Sequence, residues 1–263
     1  MKSKKRFGQN FLNDSIVQDR IVTYFDPKSD QSIIEIGTGL GNLTIPIYHI
    51  IKKSFITIEI DADLIKYLLS FYPDIFQVVK ILNSDIMKLD FDLIMKKSLK
   101  YRIIGSLPYN IAIPIMVRFF SHHKKLIDMH FVLQKEIVDR LIASPNIKLY
   151  GRTSVLFQYH FSINPIFHIS PYSFRPIPKV NSTFVRFKPY KNRIYPICEV
   201  NLLKLITRVA FHQRRKKILN SLKEFFNIED YSQLCIDYNM RAENLTILEY
   251  CKLTNWLSKK ERN

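Results

Sequence analysis

The sequence is poor in the residues that mark disulfide-bonded, zinc-binding or membrane-spanning proteins. Its 263 residues include three cysteines, which lie far apart with no paired spacing, so neither a disulfide framework nor a zinc site is expected. No apolar run approaches the length of a membrane span. The basic N-terminus leads into Gly8 and polar residues instead of an apolar signal core. A soluble, cytoplasmic protein with no bound metal is therefore predicted.

Acidic residues are scarce relative to basic ones. Forty lysines and arginines face 23 aspartates and glutamates, which gives a formal net charge of +17 and a pI near 9.7. This excess points to a polyanionic partner. Nucleic acid is favoured over a membrane surface because the sequence shows no lipidation motif or basic amphipathic anchor.

Glycine is also rare, yet three of the six glycines fall together in Gly37-Thr38-Gly39-Leu40-Gly41. This segment follows the buried-strand pattern of residues 32–36 and precedes a helical pattern from about Asn42. Strand, glycine turn and helix form the first unit of a doubly wound α/β sheet, whose ligands lie at the carboxyl ends of its strands. The spacing differs from the dinucleotide fingerprint. With Glu35 two residues earlier, it suits a compact ligand such as S-adenosylmethionine.

Two further acids follow predicted strands. Glu59 lies near the end of the run 55–61, 22 residues beyond Gly37, where such folds place the carboxylate that binds ribose hydroxyls. Asp85 follows the run 77–83, where it could accept a hydrogen bond from the adenine amine of the cofactor. The alternative for each is an ordinary solvated carboxylate at a strand end.

The stretch from Ile103 to Asn110 reads as a buried strand that runs into a proline-stiffened turn. Gly105 would let the backbone leave the strand, and Pro108 favours an extended Leu107 whose carbonyl has no ladder partner. The Ser106 hydroxyl and the Leu107 carbonyl are then two acceptors beside the aromatic face of Tyr109. They suit a planar ring with an exocyclic amine, such as an adenine flipped from its stack. The alternative is a purely structural turn.

A fifth strand at 129–133 continues the alternation of strands and helices, which predicts a parallel sheet. The pattern becomes all-helical near residue 189. We therefore expect a Rossmann-like α/β domain over residues 1–188 and a small C-terminal helical domain over residues 189–263.

Two other segments carry candidate nucleic-acid contacts. Phe174, Arg175 and Lys179 flank two prolines that hold the chain extended, so they form either a base-stacking loop or a rigid linker. In the C-terminal domain, cations recur on one helix face and at its end. They predict an RNA-facing basic surface, although a solvated helix face is the usual alternative, and they are Lys204, Arg208, Arg214, Arg215, Lys216 and Lys217.

The segment Phe7-Gly8-Gln9-Asn10-Phe11-Leu12 precedes a helix that Asn13 or Asp14 would cap. Its aromatics and amides either seal the edge of the domain or cover a ligand. The residues themselves leave both possibilities open.

Taken together, several segments resemble one family, the small-subunit ribosomal RNA adenine dimethyltransferases of the KsgA type. The segments, in chain order, are Phe7-Gly8-Gln9-Asn10-Phe11-Leu12, Glu35-Ile36-Gly37-Thr38-Gly39, Glu59-Ile60-Asp61, Leu107-Pro108-Tyr109-Asn110, Leu133-Gln134-Lys135-Glu136, the stretch 176–180, Ala210-Phe211-His212-Gln213-Arg214-Arg215-Lys216 and Met240-Arg241-Ala242-Glu243-Asn244. The resemblance runs from about residue 5 to residue 257.

This resemblance implies S-adenosylmethionine-dependent N6-dimethylation of two adjacent adenines near the 3′ end of small-subunit rRNA, during ribosome assembly. The implied partner is rRNA within an immature 30S particle, bound by a monomer. The residues that match the family's cofactor contacts are Asn10, Leu12, Gly37, Glu59, Asp85 and Ser106. Tyr109 and Phe174 match the pair that sandwiches the target base, while Ser106 and Leu107 match the amine acceptors.

One position departs from the family pattern, since asparagine usually stands where this chain has Ser106. The shorter hydroxyl leaves the rate and the balance between first and second methylation open. It also leaves a second hypothesis, a non-catalytic rRNA-binding assembly factor that keeps the fold. A third is an adenine methyltransferase of large-subunit rRNA, although the basic helical tail fits the small-subunit group better. A zinc deaminase is excluded because no H-x-E with P-C-x-x-C occurs.

Overall fold

The computed structural model describes residue 4 and residues 7–96, 98–192 and 194–260. Its strands are β1 (Phe11–Leu12), β2 (Ser32–Ile36), β3 (Ile56–Glu59), β4 (Lys80–Asn83), β5 (Tyr101–Ser106), β6 (Leu126–Gln134), β7 (Phe161–Ile169), β8 (Phe174–Arg175) and β9 (Ser182–Pro189). Its α-helices are α1 (Ser15–Phe25), α2 (Thr44–Ile51), α3 (Ala62–Phe71), α4 (Pro73–Val78), α5 (Phe91–Ile94), α6 (Ala112–Val117), α7 (Lys135–Leu141), α8 (Arg152–His160), α9 (Val200–His212), α10 (Ile218–Ser221), α11 (Ile228–Gln233) and α12 (Ile247–Lys260).

Seven of these strands form one sheet in the order β4-β3-β2-β5-β6-β9-β7. The five strands from β4 to β6 run parallel, which confirms the predicted α/β class. β9, for which the sequence predicted no direction, pairs antiparallel with β6. The strand order reverses at β2, so the carboxyl ends of β2, β3 and β5 meet at the point where such sheets bind ligands.

The helices that follow these strands bury one apolar face. Ile21 of α1, Ile47 of α2 and Leu68 of α3 are fully buried in the same core cluster. Asp14 caps α1 as predicted, since its side chain accepts hydrogen bonds from the N–H groups of Ile16 and Val17. This cap fixes where the N-terminal segment ends and the first helix begins.

The chain groups into two compact units. The first unit comprises residues 1–135 and 164–189, and the second comprises residues 136–163 and 190–263. The second unit thus includes a stretch that the sequence assigned to the first domain. Within it, the Tyr150 hydroxyl donates to the Leu245 carbonyl at 2.9 Å. The predicted domain boundary between residues 188 and 189 stays a prediction.

Buried tyrosines hold the second unit together. Tyr150, Tyr231 and Tyr250 are fully buried, and the Tyr250 hydroxyl donates to the Ala242 carbonyl at 2.7 Å. Burial of these hydroxyls costs little because each has a carbonyl partner.

Among the described residues, no helix has the length and apolar character that crossing a membrane requires.

Candidate active site

The glycine turn after β2 brings backbone N–H groups to the carboxyl end of the sheet. Gly37 and Gly39 have φ angles of 78° and 58°, a left-handed conformation that glycine adopts at little cost. The Gly37 N–H donates to the Ile58 carbonyl at 2.9 Å, which ties the turn to β3. The Gly39 N–H donates to Glu59 Oε2, also at 2.9 Å.

Glu59 ends β3 with its carboxylate fixed by main-chain donors. The side chain is 5% exposed, and Oε1 accepts from the N–H of Asp61 at 2.9 Å. Burial raises the pKa of Glu59, while the N–H groups of Asp61, Gly39 and Ile60 lower it. A carboxylate has about four lone-pair sites, so Glu59 can still accept a hydrogen bond from a ligand hydroxyl.

Asp85 lies on the loop after β4 and lines a cavity at the carboxyl end of the sheet. Its Oδ1 accepts from the Met87 N–H at 2.8 Å, and the preceding Ser84 N–H donates to the Glu59 carbonyl at 3.0 Å. The loop is therefore held against β3. Ile86 and Met87 add apolar surface beside the carboxylate.

The turn after β5 presents two oxygen atoms and an aromatic ring. Ser106 ends the strand half-buried, and the Leu107 side chain is buried. Among the described residues, no hydrogen bond reaches the Leu107 carbonyl, as predicted from Pro108. The Tyr109 hydroxyl is hydrogen-bonded to Ser182 Oγ at 2.7 Å, and burial raises the pKa of this phenol.

The N-terminal segment forms a wall of this cavity, which is the position that covering a ligand requires. A Cβ placed on Gly39 would lie 3.5 Å from the ring of Phe11, so this ring lies against the glycine turn. The segment is held by side-chain donors, since Gln9 Nε2 donates to Asp61 Oδ2 at 2.9 Å and Gln18 Nε2 donates to the Leu12 carbonyl at 2.8 Å.

These elements enclose a cavity of about 410 Å³, a size typical of small-ligand sites. It is lined by eight of the nine predicted site residues, which are Asn10, Leu12, Gly37, Glu59, Asp85, Ser106, Leu107 and Tyr109. The cavity is thus one space that joins the glycine turn, two carboxylates and the turn after β5. No group of three or more His, Cys, Asp or Glu side chains suited to a metal ion occurs among the described residues.

The sequence pattern of the family described as "Ribosomal RNA adenine dimethylase" matches residues 1–259. The chain belongs to this family. Two similar proteins are both named "Ribosomal RNA small subunit methyltransferase A". The one from Pectobacterium atrosepticum is 44% identical over 257 residues, covering 97% of this chain and 94% of that protein. The one from Wigglesworthia glossinidia brevipalpis is 44% identical over 255 residues, covering 97% of each.

Solved structures share the fold. A dimethyladenosine transferase from Plasmodium falciparum superimposes with a TM-score of 0.80 at 22% identity, covering 95% of this chain and 98% of that one. The 23S rRNA methyltransferase ErmE gives a TM-score of 0.69 at 17% identity, covering 94% and 99%. These likenesses confirm the Rossmann-like methyltransferase architecture that the sequence predicted.

This member of the dimethylase family is an rRNA adenine dimethyltransferase, and its cofactor is S-adenosyl-L-methionine. The cavity fits that cofactor. The buried Glu59 carboxylate has acceptor capacity for ribose hydroxyls, Asp85 is an acceptor for an amine, and Gly37 has no side chain that would block a close approach to its backbone. The family description and the names of the relatives are those of enzymes, and they give no support to the non-catalytic alternative.

Phe174 is the predicted site residue that the structure does not bring to the cavity. Its side chain is 1% exposed and lies in the core cluster. β8 pairs with β1 so that Phe174 is opposite Leu12, which places it behind a wall residue. In this arrangement the Phe174 ring is packed among apolar neighbours, and its base-sandwiching role stays a prediction.

Several residues at the cavity were not assigned a role by the sequence. Phe11, Asn42 and Asn110 line it. Of these three, only Phe11 lies in a segment, 7–12, for which the sequence left open that it covers a ligand. Glu35 also lines it, and burial raises the pKa of Glu35 to about 8. Its Oε2 accepts from Thr44 Oγ1 at 2.5 Å, which lowers the pKa by less than burial raises it. With a pKa of about 8, this carboxyl is mainly protonated at neutral pH and adds little negative charge.

The basic residues of the second unit differ in their surroundings. Arg208, Arg215 and Lys216 are exposed and Lys204 is half-buried. Arg214 Nε instead forms an ion pair with Glu243 Oε2 at 2.6 Å. Lys217 Nζ donates to Asn239 Oδ1 at 2.7 Å.

Proposed function

We propose that the enzyme transfers two methyl groups to N6 of each of two adjacent adenosines near the 3′ end of small-subunit rRNA. The observation that carries this proposal is the shared cavity. Ser106, Leu107 and Tyr109 line the same cavity as Glu59 and Asp85. The methyl group of the cofactor and the amine of an adenine flipped from its stack would therefore meet inside one cavity.

The cofactor would be held by residues from four strand ends and the N-terminal segment. Glu59 would accept from the ribose hydroxyls and Asp85 from the adenine amine. Gly37 would let the backbone approach closely, while Asn10, Leu12 and Ser106 would complete the contacts. Phe11 covers the glycine turn and would exclude water from this part of the cavity.

The Ser106–Tyr109 turn would activate the target by position. The lone pair of adenine N6 is delocalised into the ring, so the amine is a weak nucleophile. Acceptance of its two N–H bonds by Ser106 Oγ and the Leu107 carbonyl would draw the nitrogen toward tetrahedral geometry and aim its lone pair. When bound, S-adenosylmethionine supplies an electrophilic methyl group on a sulfonium. Most of the acceleration comes from this alignment.

No strong general base is needed. The methylated nitrogen is an acidic ammonium that can lose its proton to water. After the first transfer only one N–H bond remains on the amine. The short Ser106 side chain leaves more space beside the added methyl group than the asparagine usual in the family.

The second unit would bind the rRNA of an immature 30S particle as a monomer, in the cytoplasm. Support comes from the net charge of +17 and from the exposed cations Arg208, Arg215 and Lys216. Their contacts with phosphates would release counterions and give salt-dependent affinity. The two ion-paired or hydrogen-bonded members of the predicted surface, Arg214 and Lys217, would contribute less.

The test is mass spectrometry of rRNA from a strain that lacks its own dimethyltransferase and carries this gene. Adjacent N6,N6-dimethyladenosines near the 3′ end of small-subunit rRNA are expected. Tyr109→Ala should nearly abolish them, whereas Tyr172→Ala, which removes a 79% exposed ring, should not. Methylation of large-subunit rRNA alone would overturn the proposed substrate. Absence of S-adenosylmethionine binding in calorimetry would overturn the proposed cofactor contacts.

A further inference from the structure

Ser182 contacts the aromatic residue of the proposed base pocket from outside the cavity. It is the first residue of β9, is fully buried and is not among the residues that line the cavity. Its Oγ lies 2.7 Å from the Tyr109 hydroxyl oxygen. The two residues are 73 positions apart in the sequence, so the sheet brings them together.

The backbone around Ser182 is fixed by the sheet. Ser182 pairs with Gln134 of β6, and the Asn181 carbonyl accepts from the Lys135 N–H at 2.9 Å. β6 also pairs with β5, where Val132 is opposite Ser106. Ser106, the proposed amine acceptor, therefore lies on β5, and Ser182, the partner of the Tyr109 hydroxyl, lies on β9, with β6 between these two strands.

Tyr109 itself is on a less constrained element. It lies half-buried in the turn between β5 and α6, next to the exposed Asn110. A side chain in such a turn can change rotamer unless something holds its far end. Among the described residues, the bond to Ser182 is the hydrogen bond that the Tyr109 hydroxyl makes.

We infer that Ser182 is a positioning residue that sets the orientation of the Tyr109 ring against the target adenine. This inference rests on the proposed function of the Ser106–Tyr109 turn. The hydroxyl bond fixes the tilt of the ring, and the ring then holds the adenine plane at the depth where N6 meets Ser106 Oγ and the Leu107 carbonyl. Because alignment of the amine limits the transfer, loss of the bond lowers kcat more than it weakens binding.

The experiment compares Ser182→Ala, Tyr109→Phe and the double variant on 30S particles, with initial rates measured over a range of substrate concentrations. Each single variant breaks the same hydrogen bond and is expected to lower kcat about 3- to 10-fold. The KM for the particle and the calorimetric Kd for S-adenosylmethionine should change less than 2-fold, roughly the limit of measurement. The double variant should be no slower than the slower single variant, because there is only one bond to lose.

Thr183→Ala is the matched control. Thr183 is the next residue of β9, is 1% exposed, and its Oγ1 lies 2.9 Å from His168 Nδ1. Its loss removes an equally buried hydroxyl that does not contact Tyr109. The control should keep the wild-type kcat, even where its melting temperature falls as far as that of Ser182→Ala.

A wild-type kcat in Ser182→Ala, or additive losses in the double variant, would overturn the inference. If Ser182→Ala does not fold, Tyr109→Phe decides, since it breaks the bond from the cavity side without changing the core. Failure of the proposed function looks different, because the wild-type enzyme would then leave the particles unmethylated.

Discussion

The main-chain N–H of Gly39 donates a hydrogen bond to Glu59 Oε2 across 2.9 Å. The bond joins the glycine turn after β2 to the acid that ends β3, so two features that the sequence shows separately form one rigid arrangement. Charge-assisted bonds of this kind are stronger than neutral ones. The carboxylate is thereby oriented before any ligand enters.

Glu59→Gln should weaken S-adenosylmethionine binding. The amide keeps one acceptor oxygen and replaces the other with an NH₂ group, which repels one of the N–H groups that now orient the side chain. Loss of a charge-assisted hydrogen bond predicts a Kd that rises about 10- to 100-fold. Isothermal titration calorimetry measures it. Asp74→Asn removes the same charge from an exposed position of α4, and should leave the Kd unchanged; equal affinities in all three proteins would exclude the ribose role.

Ser106→Ala should slow methyl transfer by a larger factor than it weakens cofactor binding. It removes one of the two proposed acceptors for the adenine amine and changes little volume. A kcat lower by about 10- to 100-fold is expected for the first methylation, measured as N6-monomethyladenosine formed on 30S particles. Ser70→Ala, which removes an exposed hydroxyl from α3, serves as the control. If Ser106→Ala matches that control, the hydroxyl is not an acceptor in the reaction.

The sequence predicted the residues at the ends of β2, β3 and β5 well, because glycines and acids after apolar runs leave a local signal. It failed where the deciding contact is distant. The hydrogen bond between Tyr109 and Ser182 depends on the order of strands in the seven-stranded sheet, and the position of Phe174 depends on the pairing of β8 with β1. Residues 77–79 were assigned to a strand, yet 77 and 78 end the short helix α4. A brief apolar run fits either structure until its neighbours are known.

Gly105→Ala should destabilise the protein strongly. Gly105 was expected to end the strand, but β5 continues through it to Ser106. There it is in register with Ile36 of β2, and a Cβ would collide with the Ile36 carbonyl oxygen. The two backbones are held in place by the pairing of β2 with β5, so neither can shift to relieve the collision. A loss of about 1–3 kcal/mol or more in the free energy of unfolding is expected.

Urea unfolding of Gly105→Ala and Gly151→Ala measures this difference. Gly151 is the matched control because a Cβ there would meet no atom within 4 Å. Its replacement should change the free energy of unfolding by less than about 1 kcal/mol. Equal stability of the two variants would refute close packing of β2 against β5 as the reason for glycine.

Replacement of Arg215 and Lys216 by glutamine should weaken RNA binding in a salt-dependent way. Both are exposed cations of the second unit, so each could release one counterion on contact with a phosphate. The slope of log K against log salt should fall in magnitude by about 1.5 when both are removed. Filter binding to 30S particles measures the slope. The double replacement of Lys53 and Lys66, which are exposed in the first unit, removes the same charge; the same change in slope there would mean that net charge alone matters.

His130 should make the protein less stable as the pH falls through mildly acidic values. The ring is 1% exposed and packs between Phe25 and Phe184, with Asp128 3.6 Å from Nδ1. The pKa of His130 is lowered from 6.5 to about 4, mainly by burial; Asp128 opposes this shift, and the positive charges of Arg102 and Arg186 add to it. The unfolded chain therefore binds this proton first, so the contribution to stability is complete above pH 6.5 and is lost as the pH falls from 6.5 to about 4.

The loss across this range is roughly 3 kcal/mol, and it should disappear in His130→Phe, which keeps an aromatic ring but cannot take up a proton. Urea unfolding at a series of pH values between 4 and 7 measures it. His49→Phe is the control, because His49 is exposed on α2 and its removal should leave the wild-type pH dependence intact. If the stability of His130→Phe falls with pH as the wild-type stability does, protonation of His130 is not the cause, and the acid sensitivity comes from the carboxylates.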